Sequence, residues 1–491
     1  MKRSRFFALM TLLIVGALGT VVVVRTALHV PRPADPVSRL DVAVDEQLIA
    51  IHLSEAVRIP TISHGDPDRT QPDAFEAFIA WVASTYPEVN ASMTLTRHGQ
   101  FTMLYRWAGQ NADLAPILLT AHYDVVPVIP GSEELWSYPP FAGRIVDGVI
   151  WGRGALDDKS AVIAQLEAAT LLIKDGFRPA RTIYFSFGHD EELGGFNGAA
   201  AVAEHLRTEG VQLAWSLDEG SFLFDGMFPG VDALLASVNV AEKGSLSLEI
   251  VATSAGGHSS MPPQRTAVGY LAEAITRLEA NPVPGGLTGL SKEMFNTISR
   301  HMPFGPRIFF ANEWLFGGLV EDQLSALTFG NAMLRTTTAA TMLSASVKVN
   351  VLPIEAIATV NFRLHPRDSV EGVIEYVKSI VENERVQVRQ SSGFSRLASE
   401  VSNWDSPGYA VIERAIREVY GDVVVTPGLM VAGSDSRHYG KVADNAFRFN
   451  PITVSPDDLT GFHGTNEKIS VGRLADGTRT YAQIIRHGAS Q

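Results

Sequence analysis

The sequence contains no cysteine. This absence excludes disulfide bonds, thiolate zinc sites, iron–sulfur clusters and a cysteine nucleophile, so any metal must bind to histidine and carboxylate side chains. Basic charge is also scarce, because 40 Lys and Arg against 53 Asp and Glu give a formal net charge of −13. No basic stripe follows the first few residues, and a nucleic-acid partner is therefore not expected.

No internal repeat or low-complexity tract is visible. The composition is that of a globular protein, with 46% hydrophobic and 19% charged residues, which excludes disordered and collagen-like chains. A length of 491 residues predicts two or three domains.

A long apolar run, Phe6–Val24, follows a basic start to the chain. About nineteen residues at 1.5 Å each span roughly 28 Å, enough to cross the bilayer core. The basic flank predicts that the N-terminus stays cytoplasmic and that the rest is exported. We expect residues 1–30 to be an uncleaved anchor, which puts the catalytic part on the periplasmic or extracytoplasmic side. A signal peptide cleaved near Ala17–Gly19, giving a secreted enzyme, is the alternative, and Pro31–Pro36 is a predicted linker.

Strands and helices alternate from Asp45 to about Leu235, which indicates an α/β layer with a mostly parallel sheet. The predicted strands are 116–121, 182–187 and 213–217, and the predicted helices are 160–174 and 198–207. The same pattern returns after about Ser406, with helices at 409–420 and 471–485 and a strand at 422–426. We therefore predict one α/β domain made of residues 31–242 and 396–491.

The intervening residues 243–395 show the order β-α-β-β-α-β of a ferredoxin-like unit. Its predicted strands are 245–253, 345–351, 356–364 and 386–390, and its predicted helices are 267–279 and 369–383. An insertion at about 282–338, rich in Phe, Leu and Met, interrupts it. The predicted fold class is therefore an α/β catalytic domain with an inserted ferredoxin-like α+β lid.

Clusters of acidic residues and histidines follow the predicted strands and turns. They are His122-Tyr123-Asp124, Asp157-Asp158, His189-Asp190-Glu191-Glu192, Asp218-Glu219 and a glycine-flanked His463. Each cluster alone is more typical of a surface turn or a helix cap. Together they place imidazole and carboxylate groups where open α/β sheets bind ligands. That set suits a hydrolytic site with two metal ions, in which one carboxylate binds metal while its neighbour acts as general base.

The order of these motifs resembles metallopeptidase family 20, the aminoacylase and carboxypeptidase family of two-zinc exopeptidases. The resemblance covers about residues 48–485 and includes Gly256-Gly257-His258-Ser259-Ser260 and Gly461-Phe462-His463-Gly464-Thr465-Asn466-Glu467. Within the family, the chain is most similar to carboxypeptidase S and the extracellular N-fatty-acyl-amino-acid hydrolase/synthase. The stretches Leu156–Lys159, Gly188–Glu192 and Arg335–Thr338 carry that closer similarity.

The resemblance implies five metal ligands. Asp157 would bridge two zinc ions, His122 and Asp218 would complete one site, and Glu192 and His463 the other. Co²⁺ or Mn²⁺ would accept the same ligands.

The resemblance also implies catalytic and substrate-binding residues. Asp124 would orient His122, and Glu191 would be the general base that deprotonates the attacking water. The lid residue His258 would lie near the scissile carbonyl. The residues implied for the substrate carboxylate and the pocket floor are Asn350, Arg363, Ser434 and Asp435.

The implied reaction is hydrolysis of R-CO-NH-CH(R′)-COO⁻, as in a carboxypeptidase. An N-(fatty)acyl-amino-acid amidohydrolase/synthase with little peptidase activity is the alternative. The complete ligand set and Glu191 argue against a third reading, an inactive scaffold protein. The implied partners are a peptide or N-acyl-amino-acid substrate and the membrane, while a homodimer through the lid and a monomer both stay open.

The apolar residues of the insertion need burial somewhere. They are Phe304, Phe309, Phe310, Trp314, Leu315 and Phe316. Packing on the lid, an acyl pocket and contact with the membrane beside the anchor are three destinations, and a hydrophobic wall of the substrate cleft is our working hypothesis.

Overall fold

The computed structural model describes residues 2–31, 37–40, 42–228, 230–391 and 395–490. Apart from Pro31, the predicted linker lies outside the described residues. The helices are α1 (Lys2–Leu28), α2 (Glu46–Val57), α3 (Pro72–Thr85), α4 (Pro87–Ser92), α5 (Lys159–Lys174), α6 (Ala199–Thr208), α7 (Ala267–Ala280), α8 (Gly289–Ser299), α9 (Phe304–Ala311), α10 (Glu313–Ser325), α11 (Thr328–Leu334), α12 (Val370–Val381), α13 (Pro407–Tyr420), α14 (Ser436–Tyr439), α15 (Pro456–Leu459) and α16 (Val471–Gly488).

The strands lie between these helices. They are β1 (Thr94–His98), β2 (Thr102–Trp107), β3 (Ile117–His122), β4 (Arg144–Val146), β5 (Val149–Trp151), β6 (Ile183–Gly188), β7 (Trp215–Asp218), β8 (Leu223–Phe224), β9 (Leu235–Glu242), β10 (Gly244–Thr253), β11 (Gly257–His258), β12 (Thr337–Ser344), β13 (Val351–Leu352), β14 (Glu355–Leu364), β15 (Val386–Gln390), β16 (Val424–Met430), β17 (Ala446–Arg448), β18 (Thr453–Val454) and β19 (Lys468–Ser470).

The chain forms two compact units. The smaller unit consists of Met1–Arg25, Ala241–Phe295 and Ile308–Val401. The larger unit consists of Thr26–Val240, Asn296–Arg307 and Ser402–Gln491.

A ten-stranded sheet runs through the larger unit in the order β1-β2-β6-β3-β7-β17-β9-β8-β18, with β16 paired to β9. Its centre is parallel, since β3 pairs parallel to both β6 and β7 and β17 pairs parallel to β7. The flanks are antiparallel at β1–β2, β2–β6 and β8–β9. The prediction of a mostly parallel sheet therefore holds for the centre and for the edge pair β8–β18, but not for the sheet as a whole.

The central strand β3 is buried along its whole length, so it needs cover on both faces. Leu118 shares a core cluster with Val202 and Leu206 of α6, and α5 packs against β3 as well. Successive side chains of a strand point to opposite faces. The apolar run at 117–121 therefore becomes a strand covered by helices on both sides.

Three neighbouring parallel strands end beside one another. His122 at the end of β3 pairs in register with Gly188 at the end of β6. On the other side of β3, Leu119 is in register with Leu217, one residue before Asp218 ends β7. The sheet thus gathers the acidic and histidine clusters at one edge, as expected for the carboxyl ends of parallel strands.

The smaller unit is built on an antiparallel sheet in the order β12-β14-β10-β15. Alternating residues of β10 and β14 are buried and pack with α7 and α12 in one core cluster. The predicted strand at 345–351 is wrong, because the strand is Thr337–Ser344. Two residues separate this strand from the end of α11, and it begins within a run of β-branched threonines that favours extended backbone.

The insertion folds as helices α8 to α11. Among the described residues, α1 is the one helix long and apolar enough to cross a membrane, over Phe6–Leu28 with a mean hydropathy of 2.6. Length and composition of this kind fit both an anchor and a signal sequence.

Candidate metal centre

His122 is held by the residue two positions further on. Its Nδ1 lies 3.0 Å from the backbone oxygen of Asp124 and 3.4 Å from that residue's Oδ1. Since both partners are acceptors, Nδ1 carries the proton, and Nε2 is left as the ring's ligand atom. Asp124 therefore contacts this ring more closely through its backbone oxygen than through its carboxylate, and its orienting role stays a prediction.

The carboxylate of Asp157 lies between two imidazoles. Its Oδ1 is 3.2 Å from Nε2 of His122, and its Oδ2 is 3.2 Å from Nε2 of His463. Glu192 approaches the second imidazole, with Oε2 at 3.3 Å from Nε2 of His463. Ligand atoms of His122, Asp157 and Glu192 all lie within 4.8 Å of one another. One carboxylate therefore faces two separate groups of donors.

The charge of this cluster fits metal ions. Burial raises the pKa of Glu192, and hydrogen bonds to Asp157 and Glu192 raise the pKa of His463 to about 10. A bound cation would offset the charge of these carboxylates, which is costly to bury without a partner. A donor set of nitrogen and oxygen atoms without thiolate suits zinc, and equally cobalt or manganese.

Asp218 lies at the same edge of the sheet, at the end of β7. It is buried, and its Oδ1 accepts a hydrogen bond from the backbone of Glu219 at 2.9 Å. Burial raises the pKa of Asp218, against the opposing effect of a hydrogen bond from Ser434. Ser434, predicted for the pocket floor, is itself fully buried and therefore supports Asp218.

The three acidic residues of the turn after β6 are held in different ways. Asp190 accepts hydrogen bonds from the backbone of Asn197 at 2.7 Å and Gly198 at 2.9 Å, which fixes the loop. Glu191 and Glu192 are held through their own backbone N–H groups, each 3.2 Å from a different oxygen of Asp124. Asp124 therefore positions this turn as well as His122, a second task that its place in the sequence does not reveal.

Glu191 is a half-buried carboxylate that lies among other carboxylates, with the imidazole of His122 opposing their effect on its pKa. Burial, followed by the neighbouring carboxylates Glu192 and Asp124, raises its pKa well above the ordinary value of 4.5. A raised pKa makes a carboxylate a stronger base once it is ionised, which suits proton abstraction near neutral pH.

Comparison with known proteins identifies the family of this chain. Residues 118–487 match the sequence model of peptidase family M20/M25/M40. The chain belongs to this family. It is 38% identical to the N-fatty-acyl-amino acid synthase/hydrolase PM20D1 of Xenopus tropicalis, over 89% of this chain and 85% of the relative. It is 37% identical to the probable carboxypeptidase S-like 2 of Dictyostelium discoideum, over 89% of this chain and 85% of the relative.

Solved structures agree on the fold. One of them is the M20 family metallo-carboxypeptidase Sso-CP2 from Sulfolobus solfataricus, with a TM-score of 0.63 and 17% sequence identity. The match covers 90% of this chain and 99% of the Sso-CP2 chain. The predicted family and the predicted zinc-exopeptidase-like α/β fold class are thus confirmed. The chain is a hydrolase of a metallopeptidase family.

Glu467 is a residue of the larger unit for which the sequence alone indicated no role. It is buried and pairs with Arg153 at 2.7 Å. Its Oε2 also accepts from the backbone of Gly154, and its Oε1 from the backbone of Leu156 and Asp157 at 2.8 and 3.0 Å. One carboxylate from the end of the chain therefore fixes the loop that presents Asp157. The feature of the sequence that could have pointed to Glu467 is its place in the same motif as His463.

Asp158 and His463 also differ from what their local sequence suggests. Asp158 precedes α5, but its side chain makes no capping bond within the described chain. It accepts instead from Asn450 at 2.9 Å and from the backbone of His122 at 3.4 Å. His463 has a φ of 53°, a left-handed conformation uncommon for a residue other than glycine and concentrated at functional sites.

Asp435 lies within the larger unit. It is buried, and burial followed by Glu191 and Asp218 raises its pKa well above the usual range. A Cβ at Gly195 would overlap its Oδ1, and Gly195 has a φ of +63°. Glycine at this position therefore makes room for the carboxylate.

The remaining predicted site residues lie in the smaller unit. His258 on β11 pairs with Val351 on β13, and the backbone N–H of Ser259 donates to the oxygen of Asn350 at 3.1 Å. His258 and Asn350 are therefore neighbours. Arg363 is exposed on β14, between strand positions that are buried. Their contact with substrate stays a prediction.

Proposed function

We propose that this M20 hydrolase cleaves the amide bond of a peptide or N-acyl amino acid that ends in a free carboxylate, using two zinc ions. The observation that carries the proposal is Asp157, whose two oxygens face His122 and His463 separately at 3.2 Å each. A single carboxylate shared by two donor groups is what a two-metal hydrolytic site requires.

Five residues would hold the ions. Asp157 would touch both, with His122 and Asp218 completing one site and Glu192 and His463 the other. When bound, two zinc ions acidify water and polarise the substrate carbonyl.

Glu191 is the proposed general base. Its raised pKa lets it take a proton from the attacking water and pass that proton to the leaving amide nitrogen. Asp124 holds the backbone of Glu191 at 3.2 Å and holds His122 from the other side. The base and a metal ligand are thus held by one buried residue, the base through the Asp124 carboxylate and His122 through the Asp124 backbone oxygen.

The smaller unit supplies the proposed substrate contacts. His258 would donate a hydrogen bond to the carbonyl oxygen as negative charge develops there. Asn350 and Arg363 would bind the free carboxylate, the latter through a charge-assisted hydrogen bond.

A second candidate substrate class is the N-fatty-acyl amino acids. Two features favour it: a relative of 38% identity carries the name N-fatty-acyl-amino acid synthase/hydrolase, and the insertion displays exposed Phe309, Trp314 and Leu315. We propose further that α1 exports the chain and anchors it. The chain then works outside the cytoplasm, as a monomer or as a dimer through the smaller unit.

A substrate series tests the proposal. The purified enzyme is given the N-acetyl, N-octanoyl and N-oleoyl forms of one amino acid, a dipeptide ending in it, and the amidated form of each. We expect bound zinc, turnover of the carboxylates and little turnover of the amidated controls. Equal turnover of amidated and free substrates would refute carboxylate recognition, and the acyl series decides between the two substrate classes.

A further inference from the structure

The end of α1 is bonded to the insertion within the smaller unit. Asn312 Nδ2 donates to the backbone oxygen of Val22 at 3.2 Å, and Arg25 Nε donates to the backbone oxygen of Ala311 at 3.2 Å. Ala311 and Asn312 are both buried. Residues 311 and 312 form the junction between α9 and α10, so this junction is fixed to the last two turns of the apolar helix.

Beside that junction, the insertion exposes an apolar face. Trp314, Leu315 and Leu319 of α10 are 54%, 44% and 48% exposed, and they lie on one side of the helix. Phe309 is also exposed, and its ring meets Phe316 edge to face at 5.2 Å. Packing inside the lid, one of the three destinations expected from the sequence, therefore does not account for these side chains. A contiguous exposed apolar face marks a binding surface.

The chemistry and position of this face indicate its occupant. Val22 lies six residues before the end of the apolar span at Leu28, about 9 Å along a helix, so a residue bonded to it lies near the membrane–water boundary. Tryptophan and arginine, here Trp314 and Arg25, are typical of that boundary. The face becomes acidic at Asp322, about 12 Å beyond Trp314, which limits how much of α10 can enter lipid.

We propose that this face, formed by Phe309, Trp314, Leu315 and Leu319, inserts into the interfacial layer of the bilayer beside α1. The proposal rests on the anchoring by α1 proposed above. Interfacial helices bury their apolar side about 5–10 Å deep at the boundary between headgroups and acyl chains. Lipophilic N-acyl amino acids partition into the same layer, so the insertion would work where such substrates are concentrated.

The absence of native cysteine makes the test direct. Leu319→Cys in the full chain is labelled with an environment-sensitive fluorophore and reconstituted into vesicles of phosphatidylcholine and phosphatidylglycerol. Val347→Cys is the matched control, because Val347 is an aliphatic residue of the same unit that is 98% exposed and lies outside the insertion. Leu315→Cys is a second reporter in case one variant fails to fold.

The expected result is specific to lipid. The label at 319 should be quenched by lipids that carry a nitroxide near the headgroup and should be several-fold less accessible to aqueous iodide than the label at 347. Equal iodide access at both positions would overturn the proposal. Protection at 319 that grows with protein concentration in detergent, without quenching by nitroxide lipid, would overturn it in favour of a second copy of the chain.

Turnover keeps this proposal separate from the proposed function. Hydrolysis of an N-acetyl amino acid is measured in the same vesicles, and neither labelled position belongs to the proposed catalytic machinery. Lipid quenching without any turnover would refute the proposed reaction and leave the membrane face intact. Turnover without lipid quenching would support the proposed reaction and refute the insertion of this face into the membrane.

Discussion

The proposed metal ligands and the proposed substrate-binding residues are built in opposite ways. In the larger unit, the proposed ligands His122 and Asp218 and the supporting Asp124 are almost fully buried. The proposed ligand His463 is exposed, but its ring is held by Asp157 and Glu192. In the smaller unit, His258 is exposed, as are the segments 255–265 and 339–349. The only bonds that hold the ring of His258 within the described chain run to Ser260, two residues away.

The contrast has a physical cause. A buried carboxylate without partners costs several kcal/mol, so the acids of the metal centre require partners that also fix their geometry. An exposed imidazole is solvated and needs no such support. Under the proposed assignment, the metal centre is preorganised and the substrate contacts lie on exposed parts of the smaller unit, and the following experiments test this difference.

Asp157→Ala should have the largest effect. Removal of the carboxylate that faces both His122 and His463 should abolish metal binding and turnover together. Zinc that binds only the folded state adds to the stability of that state. The melting temperature measured in the presence of zinc should therefore be lower for the variant than for the wild type. Elemental analysis and thermal denaturation measure both effects, and two zinc ions retained in this variant would exclude a bridging role.

Glu191→Gln should separate chemistry from metal binding. The amide keeps the shape of the side chain but cannot accept the proton of the attacking water, and loss of a general base typically costs about 10²–10⁴-fold in rate. Bound zinc should be unchanged. Glu204→Gln is the control, since Glu204 is an exposed carboxylate of the same unit, and wild-type turnover in Glu191→Gln would refute the assignment.

His258→Ala tests the exposed side of the comparison. Removal of one donor to a developing oxyanion typically costs about 10²–10³-fold in kcat. Because the residue is exposed, the melting temperature and the zinc content should stay at wild-type values. A rise in KM alone, with kcat unchanged, would show that His258 binds substrate without assisting the reaction.

Glu467→Gln should have a smaller effect on activity but a measurable one on metal affinity. The residue supports the loop of Asp157 through Arg153 and three backbone N–H groups. Residues that orient metal ligands typically change affinity by about 10–100-fold. Competition with a chelator measures this affinity, and an unchanged value would show that the loop holds its shape without the charge of Glu467.

The sequence placed the acidic and histidine residues of the candidate metal centre at strand ends more accurately than it placed the strand after the insertion. His122, Glu191 and Asp218 each follow a strand whose apolar run is visible in the sequence, and parallel strands end at one edge. The role of Glu467 depends on a contact more than 300 residues away in sequence, which no local pattern reveals. The strand at Thr337–Ser344 was misplaced for a similar reason, because the end of α11 decides where it starts.

The smallest predicted effect concerns a buried histidine of the smaller unit. Ser291 Oγ donates to the oxygen of Met333 at 2.6 Å, so it accepts from Nε2 of His365, 3.3 Å away. Nδ1 of His365 accepts from the backbone of Arg367 at 3.3 Å. The neutral ring thus has a hydrogen-bond partner at each nitrogen. Protonation would add an N–H at Nδ1, which would face the backbone N–H of Arg367.

Burial, with Arg367 and Lys243 adding to it, lowers the pKa of His365 to about 3. In the unfolded chain the pKa is about 6.5. Below pH 6.5 the unfolded state therefore binds the additional proton, and the stability of the smaller unit falls as the pH falls. The loss should reach about 1.4 kcal/mol between pH 7.5 and 5.5. Hydrogen exchange of β10 and β14, corrected for intrinsic rates, measures it, and His365→Gln should flatten the slope whatever its effect on stability at pH 7.5. An unchanged slope in that variant would place the pH dependence on other groups.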